Sequence, residues 1–257
     1  MNDAGTALLT ATDLGLQAGG AVLLDKVNMQ IDAGEVLGVI GPNGAGKSSL
    51  LKLLAGVGVP TRGLIKLGDM PLADCIVNHK ARTVAYLEQR PHVHWPLAVD
   101  QVVELGRLPH AAAADADSAA AVSAALEFTG IAALARRQFN TLSEGEKMLV
   151  NISRVLAAEP LIILADEPTA ALDPYHQLLV LELLRALAGQ GKGILVVLHE
   201  LNLAARFCDR LLLLADGHIV SEGEPAVVLS ANHIAQAYHI DASYDPATKT
   251  LTTKGRL

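Results

Sequence analysis

Cysteine is nearly missing from this chain: Cys75 and Cys208 are the only two in 257 residues, and neither lies in a C-x-x-C pair. That excludes a disulfide framework and a thiolate cluster, and it predicts two reduced, buried thiols. Aromatic residues make up 3% of the chain against 51% hydrophobic residues overall, so the core must be built from Ala, Leu, Val and Ile. Basic residues are outnumbered, 20 to 27, for a formal charge of −7. An acidic balance of this kind argues against a general nucleic-acid binder. No apolar run approaches the ~20 residues of a membrane-spanning helix. The start, Met1-Asn2-Asp3-Ala4-Gly5, has no basic n-region of a secretory signal, so a cytoplasmic location is expected. A high apolar content without a spanning segment predicts apolar surface that meets partner proteins. No internal repeat is visible.

The order of patterns along the chain is informative. Residues 6–40 are strand-rich (Leu8–Thr12, Val22–Val27, Val36–Ile40), and further strands are expected at Gly63–Gly68 and Thr83–Leu87. From Val99 to about Ala135 the pattern is helical, with Ala111–Ser118 read as a loop and the start of an exposed helix. After Thr141 helices alternate with apolar strands: helix Glu144–Ala157, strand Leu161–Ala165, helix Tyr175–Ala188, strand Gly193–Leu198. Such alternation predicts a largely parallel α/β sheet with right-handed crossovers.

The chemistry begins at Gly41-Pro42-Asn43-Gly44-Ala45-Gly46-Lys47-Ser48, set between an apolar strand and an apolar helix. Glycines there let backbone N–H groups cradle phosphates, and the helix start adds its positive end. Lys47 can reach the β/γ-phosphates, and the Ser48 hydroxyl can sit on Mg²⁺, with Ser49 next in the helix. The ligand class is therefore nucleoside triphosphate with Mg²⁺. A second element, Leu161-Ile162-Ile163-Leu164-Ala165-Asp166-Glu167, ends an apolar strand in two carboxylates. Asp166 is placed to hold Mg²⁺ through its water shell, and Glu167 to orient and deprotonate an attacking water. His199, after the apolar strand Ile194–Leu198, could donate a hydrogen bond to a γ-phosphate.

The order of phosphate loop, Gln89, Leu142-Ser143-Glu144-Gly145-Glu146, Asp166-Glu167, Ala171-Leu172-Asp173 and His199 resembles an ABC-type ATPase subunit over nearly the whole chain. The resemblance implies a P-loop NTPase (RecA-like) core, an N-terminal antiparallel β subdomain and an inserted α-helical subdomain at about 90–140. It makes residues 1–257 a single ATPase domain, with a short C-terminal extension at 220–257. It also implies a head-to-tail dimer with a second copy, in which Ser143, Gly145 and Glu146 of one subunit meet the ATP held by the other. Asp173 would link the two sites, and Gln89 would contact the metal and report nucleotide state to a membrane partner. The family usually has Gly at the position of Glu144, Gln at Glu146, Asp at Glu200, and an adenine-stacking aromatic where this chain has Leu16-Gln17-Ala18-Gly19.

Three stretches, Val99–His110, His199–Arg206 and Val228–His239, resemble ATPases of iron–siderophore, haem and cobalamin importers. The implied partners are two integral membrane permease subunits and, indirectly, a periplasmic substrate-binding protein, which places the chain peripherally on the cytoplasmic face of the membrane. His92 and His94 lie too sparsely for a metal site, and with Trp95 they are expected at the permease contact. The rival classes are a soluble ABC-type ATPase without a permease, as in cluster assembly, and a regulatory nucleotide-binding module that hydrolyses weakly.

Overall fold

The computed structural model describes residues 7–89, 96–110 and 115–257, so the expectation for His92, His94 and Trp95 lies outside the described residues. The chain opens with β1 (Ala7–Ala18) and β2 (Ala21–Asp32), an antiparallel hairpin turning at Gly19-Gly20. Next come β3 (Val36–Ile40) and α1 (Lys47–Leu54), then β4 (Arg62–Leu67) and the short β5 (Met70–Pro71). Strands β2-β1-β4-β5 pair in that order, antiparallel throughout, as a four-stranded sheet.

A short helix that the sequence patterns did not mark, α2 (Val77–Thr83), precedes β6 (Val84–Leu87). It takes Thr83 from the expected strand, because the Thr83 hydroxyl donates to the His79 carbonyl one turn back (2.7 Å). In the helical stretch after Val99, α3 (Val99–Glu104) passes into a 3₁₀ turn, Leu105–His110, and α4 (Asp115–Phe128) is the next described helix. Pro109 lies inside that turn, where its missing N–H and fixed φ oppose a longer α-helix.

The second half alternates as expected: α5 (Glu144–Ala157), β7 (Ile162–Asp166), α6 (Pro174–Gly189), β8 (Gly193–Val197), α7 (Leu201–Phe207) and β9 (Arg210–Ala215). The chain then adds β10 (His218–Gly223), α8 (Pro225–Val228), α9 (Ala231–Tyr238) and a final antiparallel hairpin, β11 (Ile240–Asp245) with β12 (Thr250–Arg256). The central sheet has the order β10-β9-β3-β8-β7-β6, parallel except for the edge pair β10–β9.

The apolar strands of this sheet are buried along their length because both faces are covered. Successive side chains go to opposite faces, and the two faces feed separate cores. Ile163, Ala165, Ile194, Val196, Leu211 and Leu213 pack in one core with Leu149 and Ile152 of α5 and Leu181 and Leu184 of α6. Ile162, Leu164, Leu195, Val197, Leu212 and Leu214 pack in the other, with Leu50, Leu51 and Leu54 of α1 and Leu24 and Ile31 of β2. Each fully buried Leu or Ile contributes about 1.5–3 kcal/mol, so the core needs almost no aromatic residue. Among the described residues no helix is long and apolar enough to cross a membrane.

Candidate functional site

Strands β3, β8, β7 and β6 are parallel neighbours, so the segments that follow them emerge along one edge of the sheet. Open parallel sheets offer their ligands this edge. The segments are the loop 41–48 after β3, His199 after β8, Asp166-Glu167 at the end of β7 and Gln89 after β6.

In the loop, Gly46 is the N-cap of α1 with φ +103°, a conformation that side chains resist. A Cβ there would also stand 2.6 Å from the Leu23 carbonyl oxygen. Gly41, Ala45 and Lys47 are buried, Pro42, Gly46 and Ser49 are half-buried, and Asn43, Gly44 and Ser48 face solvent. The Lys47 ammonium donates to the Gly41 carbonyl (2.7 Å) and the Pro42 carbonyl (2.9 Å), which folds the loop around its own lysine. Burial lowers the Lys47 pKa, and the negative charges of Glu167 and Asp166 act against that shift.

Asp166 is only 4% exposed. Its carboxylate accepts from the Ser48 hydroxyl (3.2 Å) and the Tyr86 hydroxyl (3.1 Å). Burial and the adjacent Asp166 raise the Tyr86 pKa, so the phenol remains a donor. A buried carboxylate beside a hydroxyl is an all-oxygen donor set, and it suits a hard cation such as Mg²⁺. Glu167 has φ +50°, which turns its side chain out of the strand. Its carboxylate accepts from the Gln89 amide and is hydrogen-bonded to Nε2 of His199. Backbone held in this region at a strand end is a common mark of functional sites. The structure thus gathers Lys47, Ser48, Asp166, Glu167, His199 and Gln89. Sequence reasoning missed Tyr86, whose only signal was an aromatic residue near the end of a strand.

The segment Ser143–Glu146 stands apart. Ser143 caps α5, and Glu146 completes a capping box: its carboxylate accepts from the Ser143 N–H (2.8 Å) while its own N–H donates to the Ser143 hydroxyl (3.3 Å). The N–H of Ser143 holds the Glu146 carboxyl below the usual carboxylate range, assisted by the Ser143 hydroxyl and by the positive charge of Arg137. Glu144 pairs with Lys147 at 2.7 Å on the exposed side of the helix. Asp173 caps α6 and accepts from the N–H of His176 (2.9 Å). Among the described residues no hydrogen bond joins Ser143, Gly145 or Glu146 to the cluster around Lys47 and Glu167.

Comparison with known proteins agrees with this geometry. The family profile described as ABC transporter matches residues 24–170. The hemin import ATP-binding protein HmuV of Thermobifida fusca is 44% identical over 235 residues, covering 91% of this chain and 83% of that protein. The protein of the same name from Streptomyces coelicolor is 40% identical over 247 residues, covering 96% and 88%. Among solved structures, a dimeric bacterial ABC transporter cassette superposes with a TM-score of 0.74 at 28% identity, covering 84% of this chain and 98% of that one. The cbiO1 subunit from Clostridium perfringens, part of the ABC transporter complex cbiONQ, gives a TM-score of 0.79 at 28% identity, covering 90% and 94%. With a P-loop cassette fold, an antiparallel β sheet beside the core and these relatives, the chain belongs to the ABC transporter ATP-binding family and is an ATPase subunit of an ABC importer.

Proposed function

We propose that the chain drives haem import: two copies would bind two ATP between them and work beneath two membrane permease subunits fed by a periplasmic binding protein. The convergence of Lys47, Ser48, Asp166, Glu167 and His199 on one sheet edge carries the ATPase part of this reading. The haem part is supported by relatives that carry hemin import in their names and are 39–44% identical. The chain would sit peripherally on the cytoplasmic face of the membrane, held there by the permease.

The roles follow from the chemistry of each side chain. The loop amides of residues 41–46 and the Lys47 ammonium bind the β/γ-phosphates. Ser48 and Asp166 would hold Mg²⁺, with Gln89 at its margin; that ion, when bound, offsets phosphate charge. Glu167 takes the proton of the attacking water; Nε2 of His199 holds Glu167 in the structure and, with ATP bound, would turn its N–H to the γ-phosphate. Ser143 and Gly145 of the second copy close the opposite side, with the N-terminus of α5 aimed at the anion. Glu146 acts there by holding Ser143 in its capping box. Asp173 lies between the two sites. The region at 90–140 passes the motion to the permease, and 220–257 forms a C-terminal extension.

The test is reconstitution of the ATPase with its permease and binding protein in proteoliposomes. Hemin-loaded binding protein should raise ATP turnover several-fold and drive hemin uptake. Stimulation by a ferric siderophore or cobalamin in place of hemin would overturn the cargo assignment.

A further inference from the structure

The N-cap and first turn of α6 carry three polar side chains, Asp173, His176 and Gln177, of which the last two reach the segments around Gly145 and Glu200. Asp173 holds Nδ1 of His176 through its Oδ2 at 2.8 Å. A carboxylate only accepts, so Nδ1 carries the proton. The tethered ring lies directly over Gly145. A Cβ at position 145 would stand 2.4 Å from Cγ and Cδ2 of the ring and 2.6 Å from Nε2. A side chain at 145 would force the ring or the helix start to move, because the ring occupies the space that any larger residue there would need. The next residue, Gln177, donates from Nε2 to the Glu200 carboxylate (2.9 Å), and Glu200 directly follows His199.

We infer that His176 is a positioning residue of the ATPase. Clamped by Asp173, its ring sets the height of Gly145 and so aims the first turn of α5 at the ATP of the second copy. Gln177 ties the same helical turn to the His199 segment, which serves the chain's own ATP. One turn, 173–177, thereby joins the start of α5 to the His199 segment within one chain. The inference rests on the reading of Ser143 and Gly145 as the face that closes on the partner's ATP.

The experiment is a double-mutant cycle on steady-state ATP turnover of the full chain, using Gly145→Ala, His176→Ala and the pair. Gly145→Ala, whose methyl meets the ring, should raise KM for ATP about tenfold while kcat at saturation changes little. His176→Ala should raise KM several-fold, and His176→Asn, which keeps a donor toward Asp173, should recover part of that loss. In the pair, KM should stay near the His176→Ala value; losses that multiply would overturn the inference. Asp173→Asn provides a second cycle that does not rely on Gly145→Ala folding: it keeps an oxygen to cap α6 but loses the acceptor for Nδ1, so it should raise KM and add little on top of His176→Ala, and multiplied losses would again overturn the inference. Ser143→Ala separates the two levels. Unchanged KM and kcat there would remove α5 from the ATP site altogether, whereas a raised KM with multiplied losses in both cycles would sink only the role of His176.

Discussion

Nε2 of His199 is hydrogen-bonded to the Glu167 carboxylate, although 32 positions separate them in the chain. The contact exists because β7 and β8 are parallel neighbours, with Asp166 opposite Val197, so the residues just past each strand end lie side by side. Glu167 also accepts from the Gln89 amide, and three strand ends therefore fix one carboxylate. His199→Ala should release it: ATP turnover should fall at least about 100-fold, the range for a group assisting proton transfer. ATP binding, followed by equilibrium fluorescence of a nucleotide analogue, should weaken only about tenfold, the loss of one hydrogen bond to the γ-phosphate.

Lys47 holds the phosphate loop closed over its own ammonium through the Gly41 and Pro42 carbonyls. Lys47→Ala removes a charge-assisted donor worth about 1.5–3 kcal/mol. Calorimetric titration should show ATP affinity weakened by roughly 10–100-fold. Wild-type affinity would contradict the assignment of the loop.

Tyr86→Phe keeps the ring and removes the hydrogen bond to the buried Asp166 carboxylate. Leaving that acceptor without one donor should cost about 1–3 kcal/mol, seen as a lower urea midpoint with an unchanged slope.

Much of this site is legible in the sequence, and the rest is hidden for a physical reason. The phosphate loop, Asp166, Glu167 and His199 each follow an apolar strand directly, so local pattern finds them. Tyr86 and His176 act through partners that only the fold supplies. Tyr86 meets Asp166 across a strand pair, 80 positions away, and His176 meets Gly145 across two helix starts. Helix α2 leaves little trace in the sequence because it is short and buries little beyond Thr83. The β11–β12 hairpin leaves little because few of its residues are buried, which weakens the alternation that marks a strand.

The capping box on α5 gives acid stability a definite sign. Glu146 is held below the usual carboxylate range by the Ser143 N–H, so its contribution is complete above the unfolded-state pKa. It is lost as pH falls through the lower folded-state value. Glu146→Gln should destabilise the protein at pH 7, and the gap to wild type in urea melts should shrink as pH drops below about 4. A gap independent of pH would mean that the carboxylate charge does not matter to the cap.

Glu144 stands where the family usually has Gly, and its exposed carboxylate is paired with Lys147. Glu144→Ala should therefore leave KM for ATP within about twofold and stability within about 0.5 kcal/mol, as expected of a surface ion pair. A KM several-fold lower in the variant would show the carboxylate repelling the triphosphate.

The central claim is that two copies close on ATP and that Glu167 reopens them through hydrolysis. Sedimentation of Glu167→Gln with Mg²⁺ and ATP tests it directly, because the substitution keeps the shape of the side chain and removes its basicity. The expected result is a stable dimer with one ATP per chain and turnover nearly abolished, returning to monomer when ATP is withdrawn. A monomer under these conditions, or hydrolysis at the wild-type rate, would contradict the account.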